Sequence, residues 1–376
     1  MSDFETVNRV CRVHEPLSWT QEKTALMVGA CREMATFHYQ RSIEFRALCD
    51  RTGFSPLNLK NEEDLGSLPL LGVTAMKHYL LLSQPITESV LKLTSSGTKG
   101  QKTEIHFDSS SLERAQKMLD GVWGQEGLIS SDPTSYLNFI YDPSQSKDLG
   151  ISFTVQNGQR FAPLRESFFA LKLIADKWVF DAKQTENKLE EYEKNGAPVR
   201  FMGVPSFLFE FMEGLIRKGK RFQLSEKSLV MTGGGWKAAE ERKISRDEFR
   251  AMISKVFGLP DERIRDGFGL AEHGSPYLEC KNHRFHIPAF NRVFVRDPDS
   301  LKLLSPEETG LLQFVTPFNS MMPNLSILST DLGFVDAESC KCGATSPTFT
   351  VVGRGGTSKN KGCAITASEI VKRIEA

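Results

Sequence analysis

The sequence has no excess of charge of either sign: 47 Lys plus Arg stand against 47 Asp plus Glu, a formal net charge of zero. That balance argues against binding to nucleic acid, because no global field attracts a phosphate backbone. Long hydrophobic runs are also missing. A membrane-spanning helix needs about 18–20 apolar residues, and the run Tyr79-Leu80-Leu81-Leu82 is far shorter. The opening residues, Met1-Ser2-Asp3-Phe4-Glu5-Thr6, show neither the basic nor the apolar stretch of a signal peptide. There is no internal repeat and no low-complexity tract. Seven cysteines (Cys11, Cys31, Cys49, Cys280, Cys340, Cys342 and Cys363) are odd in number and irregularly spaced. They do not make a disulfide framework, and they indicate a reducing, cytoplasmic compartment.

What is present is the composition of an ordinary soluble protein: 376 residues, 40% hydrophobic and 25% charged. Residues 18–50 carry few helix breakers and show apolar residues at helical spacing, so the N-terminal part, 1–88, is expected to be largely helical. Residues 58–69 are polar and turn-rich. Strands are expected at 90–94, 135–141, 199–204 and 229–232, with a helix from about Ser206 and another over 238–257 that stops at Gly258. Strands alternating with helices predict a largely parallel sheet covered by helices, an α/β fold. From 284 to 352 the pattern turns to strands and turns, as in Phe285 to Arg296 and Leu311 to Thr316. The stretch Gly353–Gly362 reads as a hinge and 353–376 as a short tail ending in a helix, so the domain proper is 1–352.

One loop carries chemistry. Thr94-Ser95-Ser96-Gly97-Thr98-Lys99-Gly100-Gln101-Lys102-Thr103 follows an expected strand. Its glycines let several backbone N–H groups converge on an anion, its hydroxyls add donors, and Lys99 or Lys102 adds positive charge. The plainer reading is a polar surface turn. It is not the nucleotide loop G-x-x-x-x-G-K-[ST], since Lys102 stands five residues after Gly97.

This loop resembles the phosphate loop of the adenylate-forming superfamily, the acyl- and aryl-CoA synthetases and peptide-synthetase adenylation domains, whose usual form is S-G-T-T-G-x-P-K. The chain departs from it at Lys99, Lys102 and Thr103. Four further stretches fall in the superfamily's order. Thr232-Gly233-Gly234-Gly235-Trp236-Lys237 resembles the loop along adenine. Phe268-Gly269-Leu270-Ala271-Glu272 resembles Y-G-x-[ST]-E, whose aromatic lies by adenine and whose Glu holds Mg²⁺. Ser329-Thr330-Asp331 resembles T-G-D, whose Asp grips the ribose hydroxyls, and Gly353-Arg354 resembles the hinge motif. The resemblance implies an adenylate-forming large domain that uses ATP and Mg. Its nucleotide residues would be Ser95, Ser96, Gly97, Thr98, Gly100, Gly233 to Lys237, Phe268 to Ala271, Asp331 and Arg354, and its catalytic residues Glu272 and Lys99.

Superfamily members continue past the hinge into a small closing domain, most of which this sequence is expected to lack. Cys363 is the candidate to complete the chemistry. It sits in Lys359-Asn360-Lys361-Gly362-Cys363-Ala364, ahead of the capping box Thr366-Ala367-Ser368-Glu369. Two lysines and a helix N-terminus both favour thiolate over thiol. The usual role of a lone cysteine is a small apolar filler, but glycine, lysine and asparagine around it argue against a packed core. This context resembles the acyl-protein synthetases of bacterial fatty-acid reductase complexes. The resemblance implies activation of a long-chain fatty acid to acyl-AMP, transfer to Cys363 as a thioester, and delivery to an acyl-reductase partner that makes the aldehyde.

Two rivals remain. One is an acyl- or aryl-CoA ligase of the phenylacetate type, which would pass the acyl group to coenzyme A. The other is a silent nucleotide-binding scaffold. Phe201, Met202, Val204 and Phe207 lie where the superfamily forms its carboxylate pocket, but they read equally as core.

A second group of residues suits a metal. Cys280, His286, Cys340 and Cys342 offer three thiolates and an imidazole, a donor set for tetrahedral structural zinc. His283 competes with His286. His286 is preferred because the C-x5-H and C-x-C spacing resembles the phenylacetate-CoA ligase branch. The plainer reading is three reduced cysteines and a surface histidine.

Overall fold

The computed structural model describes residues 4–94, 102–144, 157–175, 177–236 and 242–355. Three helices open the chain: α1 (Glu5–Val10), α2 (Gln21–Arg41) and α3 (Ile43–Thr52). Thr20 Oγ1 accepts from Lys23 N–H to start α2, and Ser42 Oγ does the same for α3, which ends at Gly53 in the left-handed region. Helical structure was expected up to residue 88. Beyond Thr52 the chain instead makes short 3₁₀ turns and the two-residue strand β1 (Leu71–Gly72).

Next come β2 (Leu91–Thr94), β3 (Glu104–Phe107) and α4 (Ser109–Gln125). Then follow β4 (Thr134–Tyr141), β5 (Leu164–Ile174), β6 (Lys177–Phe180), α5 (Ala182–Asn195), β7 (Val199–Gly203), α6 (Pro205–Arg217), β8 (Leu229–Gly233), α7 (Arg246–Phe257) and β9 (Ile264–Phe268). The remaining strands are β10 (Tyr277–Leu278), β11 (Phe285–His286), β12 (Arg292–Arg296), β13 (Gly310–Val315), β14 (Ser326–Val335) and β15 (Thr348–Arg354).

These elements fall into two compact units. One takes in the chain up to Gln125, Leu270–Tyr277 and the described residues from Arg284 on; the other takes in Glu126–Gly269 and Leu278–His283. Residues of the domain read from the sequence as 1–352 occur in both. The second unit is the expected parallel sheet. Strands β5, β4, β7, β8 and β9 run parallel in that order, with β6 antiparallel beside β5. Helices α5, α6 and α7 bury Leu189, Phe211 and Phe257 against Leu137, Phe201 and Val230 of the sheet. Phe201, Met202 and Val204 are buried, and Phe207 is partly buried against this core.

Several expectations need correction. The strand at 91–94 does not join the parallel sheet; β2 pairs antiparallel with β3 in a two-stranded sheet. Strands β5 and β9 were not expected, because Arg165, Glu166, Arg265 and Asp266 break their apolar text. Helix α7 begins at Arg246 and not at 238: Ser245 and Glu248 form a reciprocal capping box that starts it, and Gly258 ends it at φ 69°. The stretch Phe285 to Arg296, read as strand and turn, is β11 and β12 with a turn between them that closes from Asn291 N–H to the Pro288 carbonyl.

In the first unit β14 is the spine. It pairs antiparallel with β13 and β15, and parallel with β1 at Leu71–Ile327 and Gly72–Leu328. Gly353 and Arg354, where the sequence suggests a hinge, are the last residues of β15. Among the described residues no helix is long and apolar enough to cross a membrane.

Candidate active site and metal cluster

In the first unit the chain turns tightly through Leu270-Ala271-Glu272-His273-Gly274. His273 and Gly274 N–H both donate to the Leu270 carbonyl, at 3.2 and 2.9 Å. Gly274 lies at φ +74°, and a Cβ there would stand 2.8 Å from Cζ of the Phe318 ring. Only glycine fits both the backbone and the space. The turn leaves Glu272 buried. Asn324 Nδ2 donates to its backbone carbonyl at 2.8 Å. Its carboxylate has no hydrogen-bond donor or ion-pair partner among the described residues.

Asp331 comes to the same region from β14. Its N–H donates to Ser329 Oγ at 3.0 Å. Opposite it in the ladder stands Arg354, whose Nε donates to Asp331 Oδ1 at 3.3 Å. Gly355 N–H donates to the Thr330 carbonyl at 2.7 Å, extending the pairing past the strand end. Burial raises the Asp331 pKa; the Arg354 guanidinium lowers it and the neighbouring Glu272 charge raises it further. Glu272, Asp331 and Arg354 are therefore a constellation within one unit. Next to Glu272, the buried His273 ring stacks on Tyr277 with Nε2 3.1 Å from the phenol oxygen. Burial lowers its pKa to about 3, so it is a neutral core residue.

Strands β2 and β3 flank the predicted phosphate loop, with Thr94 opposite Glu104. Ser95, Ser96, Gly97, Thr98, Lys99 and Gly100 lie outside the described residues, as do Lys237 and Cys363.

The second unit holds the predicted adenine loop. Gly234 and Gly235 follow β8 at φ 81° and 68°. Gly233 pairs with Gly267, and a Cβ on Gly233 would lie 3.1 Å from the Gly267 carbonyl oxygen. The Phe268 side chain, at the end of β9, is partly exposed and Gly269 is exposed. Trp236 differs from the expectation of a nucleotide contact: its ring packs between Phe209 and Phe249, at 5.2 and 5.7 Å, inside the hydrophobic core. Beneath the loop, Thr232 Oγ1 donates to Asp266 Oδ1 at 2.9 Å. Burial, with Glu279 nearby, pushes the Asp266 carboxyl up to about 6. Neither Asn324 nor Asp266 was legible in the sequence, since a lone amide or acid beside an apolar strand has no spacing to mark it.

Of the four suggested metal ligands, His286, Cys340 and Cys342 belong to the first unit and Cys280 to the second. Within the first unit His286, Cys340 and Cys342 each offer a ligand atom within 4.8 Å of the others. The ring of His286 is held on one side by Ser346, with Nδ1 3.0 Å from its carbonyl oxygen and 2.9 Å from its hydroxyl oxygen. Nε2 lies 3.1 Å from Cys342 Sγ; with the proton on Nδ1 it presents a lone pair there. Backbone N–H groups of Asn282 and Ala344 donate to the sulfurs of Cys280 and Cys342, both at 3.4 Å. Burial pushes the His286 pKa down. His283, the competing candidate, turns instead to Asp261 at 2.6 Å.

Comparison with known proteins gives the class first. The fold is similar to a 2-hydroxyisobutyryl-CoA ligase solved with 2-HIB-AMP and CoA: TM-score 0.64, 16% identity, 90% of this chain and 70% of that one. The chain is 25% identical to the long-chain-fatty-acid–luciferin-component ligase of Vibrio harveyi, over 94% of its own length and 90% of the relative's. It is 23% identical to a phenylacetate-coenzyme A ligase of Thermus thermophilus, over 85% of its length and 67% of the relative's. The fold is that of the adenylate-forming ligases. Residues 5–372 match the family described as acyl-protein synthetase, LuxE, and the chain belongs to that family. It is an ATP-dependent ligase.

Proposed function

We propose that the chain activates a long-chain fatty acid with ATP and then carries the acyl group on Cys363, in the cytoplasm, for delivery to an acyl-reductase partner that makes the aldehyde. In the first step a carboxylate oxygen attacks the α-phosphorus, the bond to the β-phosphate oxygen breaks, and pyrophosphate leaves. In the second the Cys363 thiolate attacks the acyl carbon, the acyl–oxygen bond breaks, and AMP leaves. The match over 5–372 to an acyl-protein synthetase family is the observation that carries this reading.

The residues suit the roles. Glu272 is a buried carboxylate with no donor among the described residues, beside the second acid Asp331. Two such charges call for a cation, and carboxylate oxygen suits Mg²⁺. Bound there, Mg²⁺ would offset the charge on the phosphoryl oxygens. Lys99 and the amides and hydroxyls of Ser95, Ser96, Gly97, Thr98 and Gly100 would hold phosphate. Gly233, Gly234, Gly235, Trp236, Lys237, Phe268, Gly269, Leu270 and Ala271 would line the adenine; the backbone of Trp236 would serve there, since its ring is in the core. Asp331 would bind the ribose hydroxyls, and Arg354 would steady Asp331. Cys280, His286, Cys340 and Cys342 would hold structural zinc, with sulfur and imidazole as its usual donors.

The test is incubation with Mg-ATP and radiolabelled tetradecanoic acid, beside Cys363→Ser. Label on the polypeptide that hydroxylamine releases and the variant lacks is expected. CoA-dependent AMP release with no label on protein would overturn the reading in favour of a CoA ligase, the reading to which the similarity with phenylacetate-coenzyme A ligase points. ATP binding without either signal would leave a scaffold.

A further inference from the structure

The segment between β13 and β14 fastens to two places at once. Asn319 Nδ2 donates to the His106 carbonyl at 3.3 Å, and His106 N–H donates to Met322 Sδ at 3.1 Å. His106 lies on β3, the strand that leaves the predicted phosphate loop. Ser320 N–H donates to Ser111 Oγ at 2.8 Å, and its hydroxyl donates to Asp108 Oδ2 at 2.7 Å. Arg114 Nη1 donates to the Phe318 carbonyl at 3.0 Å. Four residues further on, Asn324 Nδ2 donates to the Glu272 carbonyl at 2.8 Å. The chain then enters β14, which carries Asp331.

We infer that Asn324 is a positioning residue: it fixes the backbone of Glu272 relative to β3 and Asp331, and so sets how well Glu272 holds a divalent cation. The inference rests on the reading of Glu272 as a Mg²⁺ ligand. The physical reason is local. Asn324 is buried, so the Glu272 carbonyl takes its hydrogen bond from a side chain and not from water. Without that donor the buried carbonyl is unsatisfied, and the peptide turns to find another partner. The carboxylate moves with it. Nothing else described donates to that carboxylate, so only its backbone and packing aim it. Gly274 lets the turn bend but does not fix the direction of the Glu272 carbonyl; the amide of Asn324 does.

ATP–pyrophosphate exchange with tetradecanoic acid, titrated with Mg²⁺, tests this. The proteins are wild type, Asn324→Ala, the equal-volume Asn324→Leu, Glu272→Gln and the Asn324→Ala/Glu272→Gln double variant. Both Asn324 variants should need about tenfold more Mg²⁺ for half-maximal exchange, a change of ~1.4 kcal/mol. The KM for fatty acid should stay within about twofold of wild type, as no acyl contact is touched. The double variant should need no more Mg²⁺ than Glu272→Gln alone, because the donor acts only through that carboxylate. An unchanged Mg²⁺ requirement in both Asn324 variants would overturn the inference, as would a fully additive double variant. Loss of a cooperative melt in both would do the same, making Asn324 a residue of the fold alone. If Glu272→Gln leaves the Mg²⁺ requirement at the wild-type value, the metal reading of Glu272 falls first and takes the inference with it.

Discussion

Arg354 faces Asp331 across the β14–β15 ladder, Nε to Oδ1 at 3.3 Å, as the last register pair of the two strands. The arginine side chain is 80% exposed while the aspartate is buried. One partner is thus solvated, and the other is held by β14. An exposed partner weakens the pair, and such pairs contribute about 0–1 kcal/mol.

Arg354→Ala should raise the Asp331 pKa further, since burial already raises it and the guanidinium is its main counterweight. The acid limb of the exchange rate against pH should move to higher pH. The shift should stay below about 0.7 unit, given ~1.4 kcal/mol per unit and the weakness of a half-solvated pair. A limb that moves to lower pH would contradict the assignment.

Asp266 should make the protein less stable as pH rises. Its folded pKa of about 6 exceeds the ordinary aspartate value of 3.8, so the native state binds the proton more tightly than the unfolded chain. Stability from this group is full below about 4, falls through the interval and levels off above about 6. Asp266→Asn keeps an oxygen for the Thr232 hydroxyl and should remove that fall. Denaturant melts at a series of pH values would show it as a gain confined to the neutral side.

Zinc should copurify at one ion per chain. Cys342→Ser should lose it and melt several degrees lower, as about 1 kcal/mol moves Tm by roughly 2–4 °C in a unit of this size. Elemental analysis beside calorimetry tests both statements. A metal-free wild-type protein with the same Tm as the variant would show the group to be ordinary reduced thiols.

Gly274→Ala should cost on the order of 1–3 kcal/mol, the range for a non-glycine residue held in the left-handed region, with more added by the 2.8 Å approach to Phe318. Exchange activity should fall with it because the turn carries Glu272. Gly53→Ala is the control: its φ is +67° but nothing lies within 4 Å of the added Cβ. It should show the backbone cost without the loss of activity.

Much of this could be read from local text. The capping box Ser245-Arg246-Asp247-Glu248 and the stop at Gly258 are short-range signals, and α7 lies between them. Of the cysteines and histidine picked out in the sequence, His286, Cys340 and Cys342 come together in the first unit, with ligand atoms within 4.8 Å of one another. The place of the Trp236 ring was not legible in the sequence: only the positions of Phe209 and Phe249 assign it to the core.

The sequence by itself determined the class of fold, the order of its motifs and the donor chemistry, because caps, glycine turns and residue types act within a few positions of the chain. Tertiary structure decided which charges face each other. Asp331 meets Arg354 through strand register, and Glu272 meets Asn324 across 52 residues. Register and buried hydrogen bonds depend on how whole strands pack, and no local pattern encodes the partner they select.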